Sequence, residues 1–315
     1  MLDPARYLVD FARFVATKGP QERHDVDALR ELESVPLALP AGLEVEWLGV
    51  SGYRMTFEGQ TIFIDPYVSR VPLSTLLRRR RAMPDPAMLD RFIGRPTGVL
   101  GVLVGHTHFD HAVDAPAIAR RCSCPAYGSS SLTRLMRLHG LEQQAVEVTP
   151  HVNYELGPFR VSFTPSLHSK LVLGLAVPFD GELTCDHLDG LSPGAYRCGQ
   201  VWGIHIEVAG MSFYHQGSAN LVDDEVRHTG VDVFLAGVAG RGFTPGYWSR
   251  ILPRLQPSVI IPTHYDDFFR PLDASMGLST NVNLAQVPDE VGAISRDFQV
   301  AALPLLGAVS GSGSS

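Results

Sequence analysis

Val102-Leu103-Val104-Gly105-His106-Thr107-His108-Phe109-Asp110-His111 is an apolar strand that runs straight into His-x-His-x-Asp-His. Imidazole nitrogen and carboxylate oxygen are the donors that zinc, iron or manganese accept, and crowding four such groups at a strand end gains nothing for packing. Side chains of an extended segment alternate with period two, so His106 and His108 point the same way and can share one ion. Asp110 and His111 lie beyond the strand, where the chain must turn, and can face a second ion beside the first.

Upstream of this motif the chain alternates with period two over Leu43 to Leu48, Tyr53 to Phe57 and Thr61 to Asp65, which predicts an antiparallel meander. Asp65 ends an apolar strand, where a buried carboxylate needs donors. It is read as an acceptor bracing the metal loop, the competing reading being an ordinary turn-forming Asp-Pro. Downstream, the strand at Phe159 to Thr164 leads to His168, and the strand at Val259 to Pro262 leads to His264. A His in a loop just after a strand is where further ligands would be supplied.

Helices are predicted at Tyr7 to Val15, from a stripe of apolar residues at spacings of three and four, and at Asp25 to Leu32, Pro84 to Ile93, Asp114 to Arg121, Ser130 to Leu138, the stretch reaching His228, and Tyr247 to Leu255. Residues 1–40 read as a helical extension, 41–300 as the main domain and 301–315 as a flexible tail. The Gly-rich stretch 178–200 reads as an insertion or lid. Arg78 to Arg81 are four consecutive arginines, either a solvated face or a clamp for an anionic group near the site.

The 315 residues suffice for a large core without staples. A net charge of −7 argues against a nucleic-acid binder that works by bulk charge. Four cysteines are too few for a disulfide framework. The N-terminus lacks the pattern of a signal peptide and no apolar run reaches the length of a membrane span, so a cytoplasmic protein is expected. A homo-oligomer is compatible with all of this.

These residues resemble the metallo-β-lactamase superfamily over roughly Leu43 to Phe269. The resemblance implies an α/β fold, a four-layered αββα sandwich of two mixed sheets with the metal site at one edge. It implies His106, His108 and His168 around one metal, and Asp110, His111 and His264 around the other. Within the superfamily, the strand ending Ile64-Asp65-Pro66 is similar to the branch of L-ascorbate-6-phosphate lactonase and the N-acyl-phosphatidylethanolamine-hydrolysing phospholipases D. At one position the chain departs from the pattern. Where the family has an Asp bridging both metals, this chain has Gly217-Ser218-Ala219, and a neutral serine hydroxyl is a poor ligand. Two ions held by three protein ligands each, a single dominant ion and a site without metal all stay open, with His215 or Asn220 as candidate compensation.

The expected activity is that of a metal-dependent hydrolase, with one or two zinc ions (or manganese or iron). A metal-bound hydroxide would cleave a lactone or other carboxylic ester. Asp110 would both ligate and orient the nucleophile, with Ser218, Tyr265 and Asp266 as candidate substrate or supporting contacts. The substrate is read as a small molecule, anionic or amphiphilic. A phosphodiesterase of phospholipase D type and a non-catalytic protein that kept the fold are the alternatives.

Overall fold

The computed structural model describes residues 4–171 and 174–311, with side chains described from residue 19 onward. The meander forms as β1 (Leu43–Gly49), β2 (Gly52–Phe57) and β3 (Gln60–Ile64), followed by β4 (Val99–Leu103), β5 (Ala126–Gly128) and β6 (Ala145–Glu147). A second set comprises β7 (Asn153–Leu156), β8 (Phe159–Ser166), β9 (Val201–Val208), β10 (Met211–Gln216), β11 (Val233–Gly237), β12 (Val259–Thr263) and β13 (Gln299–Val300). The last strand, β14 (Ala308–Ser310), returns to pair with β1. Two seven-stranded sheets result, in the orders β14-β1-β2-β3-β4-β5-β6 and β13-β12-β11-β10-β9-β8-β7. Each sheet is antiparallel through its meander and parallel beyond it, the first parallel pair being β3 with β4 in one and β10 with β11 in the other. The expected sandwich of two mixed sheets with flanking helices is therefore what the chain forms.

Alternation along the strands builds the layers. On β4, Leu103 joins the core between the sheets with Ile62, Ile64, Phe163 and Ile204. Its neighbours Val102 and Val104 face the other way, onto Ile118, Leu132 and Leu135 of the helices Ala115–Cys122 and Ser130–Leu138. The helix Tyr247–Leu255 packs Tyr247, Ile251 and Leu255 against the core of the second sheet. Every parallel strand thus ends at the same edge, which brings Asp65 (after β3), His106 (after β4) and His264 (after β12) together.

Two helix expectations are corrected. The N-terminus is one helix, Pro4–Glu33, rather than two, with Pro20 inside it. The proline removes one backbone hydrogen bond, and docking of the C-terminal half offsets the loss: Leu29 and Leu32 are buried, and Asp25 Oδ1 accepts Ala285 N at 2.9 Å. The apolar stripe at Tyr7 to Val15 lies outside the residues whose side chains are described. The stretch reaching His228 is no helix beyond the turn Asp223–Glu225, because Arg250 and Arg254 hold the Asp223 carboxylate from the neighbouring helix. Among the described residues no helix is long and apolar enough to cross a membrane.

On the face of β9 opposite the inter-sheet core, buried His205 stacks on His228 at 3.7 Å and 10°. Burial, with His228 beside it, pushes the His205 imidazole down to about 4, whereas an unfolded chain protonates it near about 6.5. The unfolded state therefore takes up the proton first as pH falls. Stability tied to neutral His205 is complete above the unfolded value and is lost as pH falls towards 4. His205→Gln should remove on the order of 2 kcal/mol of that acid loss, read as a smaller drop in urea midpoint between neutral and acidic pH than in the wild type. Equal drops would show that His205 does not carry it.

Candidate metal centre

Beyond β4 the chain turns at Gly105, whose N–H donates to Asp65 Oδ1 at 2.6 Å, and then delivers His106 and His108 side by side, with His106 Nε2 3.1 Å from His108 Nδ1. His168, on the loop after β8, closes a trio whose ligand atoms lie within 4.8 Å of one another. Asp110 and His111 sit on the short helix Phe109–Ala112. His264 comes over from the second sheet, its Nε2 3.3 Å from Asp110 Oδ2, and Asp110, His111 and His264 form a second trio within the same limit. The two trios adjoin, with the His106 and His111 ring centroids 3.8 Å apart.

The rings are oriented from behind. His108 Nε2 donates to Pro178 O at 2.8 Å, His168 Nδ1 to Ser169 O at 2.7 Å and His111 Nδ1 to Asp65 Oδ2 at 2.7 Å. In each ring the other nitrogen is left as a lone pair facing its trio, the arrangement a metal-ligating imidazole needs. Burial, reinforced by neighbouring imidazoles, keeps His108 neutral down to about 4, His168 down to about 3, and His106 far below its ordinary value. Burial works against the Asp110 carboxylate, but the adjoining His111 and His264 outweigh it and hold its pKa below the usual range. At His111 burial is likewise outweighed, by Asp65 and Asp110, and the pKa rises. Three neutral imidazoles and, beside them, an ionised carboxylate with two imidazoles are a donor set that fits divalent metal.

The backbone around the centre is strained. Val50, Asp65 and His264 all have left-handed φ, at 53°, 41° and 63°, conformations unfavourable for residues other than glycine, most of all for a β-branched one. Val50 is held there from both sides. Its N–H donates to Asp266 Oδ1 at 2.8 Å, and its carbonyl accepts His264 N at 2.8 Å, Trp47 Nε1 at 3.1 Å and the Thr263 hydroxyl. Gly217 shows how closely the chain passes: a Cβ there would stand 2.9 Å from Asp65 Oδ2 and 3.2 Å from the His111 ring.

Asp65, His215, Ser218, Asn220, Tyr265 and Asp266 lie behind the ligands and not on the cleft that opens over them. Asp65 is fully buried between Gly105 and His111. His215 Nε2 donates to Ser51 O at 2.9 Å and is 3.9 Å from Asp65. Ser218 Oγ accepts Ser169 N at 3.0 Å, and Asn220 Nδ2 donates to His168 O at 3.3 Å, so both hold the His168 loop. Tyr265 is buried against Trp47 at 4.7 Å. Asp266 pairs with Arg70 at 2.7 Å, both side chains 2% exposed. The stretch 178–200 is tied to the motif, since Thr107 N donates to Cys198 O at 2.9 Å and Ala82 N to Leu191 O at 2.7 Å.

The cleft measures about 1530 Å³ and exposes His108, Asp110, His168 and His264 at its base. Sequence reasoning missed several of its walls: Phe179, Phe268 and Phe269, the loop 238–243, and Gln21 and His24 of the N-terminal helix. The Phe268-Phe269 pair directly after the His264 segment and the run Gly237-Val238-Ala239-Gly240-Arg241-Gly242 were signals available in the chain.

The family model for a Beta-lactamase superfamily domain matches residues 44–264. A UPF0173 metal-dependent hydrolase of Cereibacter sphaeroides is 25% identical over 228 residues, covering 72% of this chain and 87% of the relative. Among solved structures, Igni18, a metallo hydrolase from Ignicoccus hospitalis, superimposes with a TM-score of 0.51 at 19% identity over 85% of this chain and 97% of that one. CmlA, a diiron β-hydroxylase from Streptomyces venezuelae, gives 0.55 at 14% identity over 86% of this chain and 55% of that one. These two likenesses concern the fold alone. With its fold, its paired ligand trios and a family model matched across both, the chain belongs to the metallo-β-lactamase superfamily, a family of metal-dependent hydrolases.

Proposed function

We propose that the protein hydrolyses an ester-type bond, a lactone or other carboxylic ester, with zinc held by His106, His108 and His168 and by Asp110, His111 and His264. The observation that carries this reading is the meeting of the two trios at the base of an open cleft. A divalent ion held there would supply a water of lowered pKa and polarise the substrate oxygen. Asp110 stays ionised at neutral pH and can accept a hydrogen bond from the attacking water, fixing its approach. His106, His108 and His168 stay neutral, so they hold their trio without adding charge of their own. Phe179 and Phe268 line the cleft beside His108 and His264.

The likeness to the lactonase and phospholipase D branch supports an ester over a β-lactam. One observation favours a phosphodiester as the second reading: Leu73 and Leu76 line the cleft, and the exposed Arg78, Arg79 and Arg80 follow directly. Chelation followed by assay on lactone, carboxylic ester and phosphodiester panels decides. Activity should vanish with the metal and return on adding zinc; turnover that survives thorough chelation defeats the proposal, and a protein that binds no metal points to a non-catalytic role.

Ser218 sets the occupancy. Without a carboxylate between two doubly charged ions their repulsion is less relieved, so the second ion should bind more weakly than the first. Ser218→Asp is expected to tighten it about tenfold or more, read by competitive chelator titration of metal content. An unchanged second affinity would place the bridging function elsewhere.

A further inference from the structure

We infer that the cleft over the two trios holds a long apolar chain of the substrate, an acyl or arylalkyl group carried by the ester whose cleavage is proposed above, on which this inference rests. Each trio has a phenylalanine edge-on against one of its imidazoles: Phe179 against His108 at 6.5 Å and 82°, and Phe268 against His264 at 5.9 Å and 77°. Phe268 continues into an aromatic group, with Phe269 at 4.3 Å and Phe109 at 6.2 Å. All four rings line the cleft. Phe179, Phe268 and Phe269 are only half-buried, although the chain has a large core in which aromatic area could be covered completely.

Three observations separate this wall from ordinary packing. Phe179 has φ 46°, a left-handed conformation unfavourable for a bulky residue. The carbonyl just before it, Pro178 O, accepts a hydrogen bond from His108 Nε2, so the strained step is locked to a candidate ligand of the site and presents its ring beside it. The volume, about 1530 Å³, is beyond the roughly 300–1,000 Å³ that encloses a compact small molecule, and Leu73 and Leu76 carry the apolar surface onward, Leu73 being 45% exposed. Of the two arginines on the cleft lining, Arg241 has its guanidinium on Glu290 and on the carbonyls of Val282 and Asn283, and Arg270 donates to Ser275 Oγ at 2.8 Å. Apolar walls directly against the reacting position favour a substrate whose cleaved bond adjoins its hydrocarbon.

The test uses the full zinc-loaded chain and two probe series, p-nitrophenyl esters from acetate to dodecanoate and p-nitrophenyl alkyl ethers of the same lengths, which cannot be hydrolysed. Each methylene drawn from water strengthens binding by up to about fourfold. Ether Kd should therefore fall about two- to fourfold per methylene beyond the shortest chains. Phe179→Ala and Phe268→Ala should flatten that slope, with thermal melts confirming that each variant is folded. Equal affinity for short and long ethers overturns the inference, as does a slope that survives both substitutions. An intact ether slope without cleavage of any ester supports the subsite and defeats the carboxylic-ester reading; ester cleavage with a flat slope does the reverse.

Discussion

Asp110→Asn is expected to lower kcat/KM for the cleaved ester by about 10²–10⁴-fold and to release the ion of the second trio. The amide keeps the shape of the carboxylate, so the loss isolates its charge. Asp110 sits buried between His111 and His264, which hold it ionised, and an amide there offers one weak neutral oxygen to a cation and to the attacking water. Metal content and turnover should fall together, with the first ion retained through His106, His108 and His168. A variant with wild-type metal content and turnover within a few-fold of wild type would remove Asp110 from the chemistry.

Asp65→Ala is the second large effect, and it should appear in stability before activity. The carboxylate accepts Gly105 N at 2.6 Å and His111 Nδ1 at 2.7 Å with no exposure to water. Its removal leaves two buried donors unpaired. Breaking such a buried charged interaction costs about 3–5 kcal/mol, and losing the partner of a ligating imidazole weakens metal binding about 10- to 100-fold. Urea unfolding and chelator competition measure the two losses separately. A turn-forming Asp-Pro with no further role would cost only about 1 kcal/mol, so a loss of that size with unchanged metal affinity would refute the bracing role.

Much of the candidate site was legible in the chain because metal chemistry restricts both residue type and spacing. His106 and His108 at period two, Asp110 and His111 just past the strand, and His168 and His264 directly after apolar strands read as candidate ligands in the chain, and the fold brings them together in two trios. The period-two stretches around Leu43 to Asp65 likewise foretold β1 to β3, and the family resemblance supplied the sandwich. Periodicity failed where local pattern is a poor guide. The N-terminal helix runs through Pro20 because distant partners such as Ala285 hold its second half. The stretch before His228 stays irregular because Arg250 and Arg254 draw Asp223 to another helix.

His106-Thr107-His108-Phe109-Asp110-His111 by itself determined that this protein carries metal-binding chemistry at a strand end, since no packing demand explains that donor set. Only the tertiary structure decided how the ligands are aimed and what surrounds them. Pro178 O, Ser169 O and Asp65 select the ring nitrogen that faces each trio, and two of these three partners are backbone carbonyls, which carry no mark in a sequence. Ser218 lies where the resemblance places a bridging ligand, yet its hydroxyl accepts Ser169 N and braces the His168 loop. The same holds for the walls of the cleft. Phe179 and Phe268 are far apart along the chain, and they flank the candidate metal centre because parallel strands of two sheets end at one edge, a property of the sheets' connection and not of any local stretch.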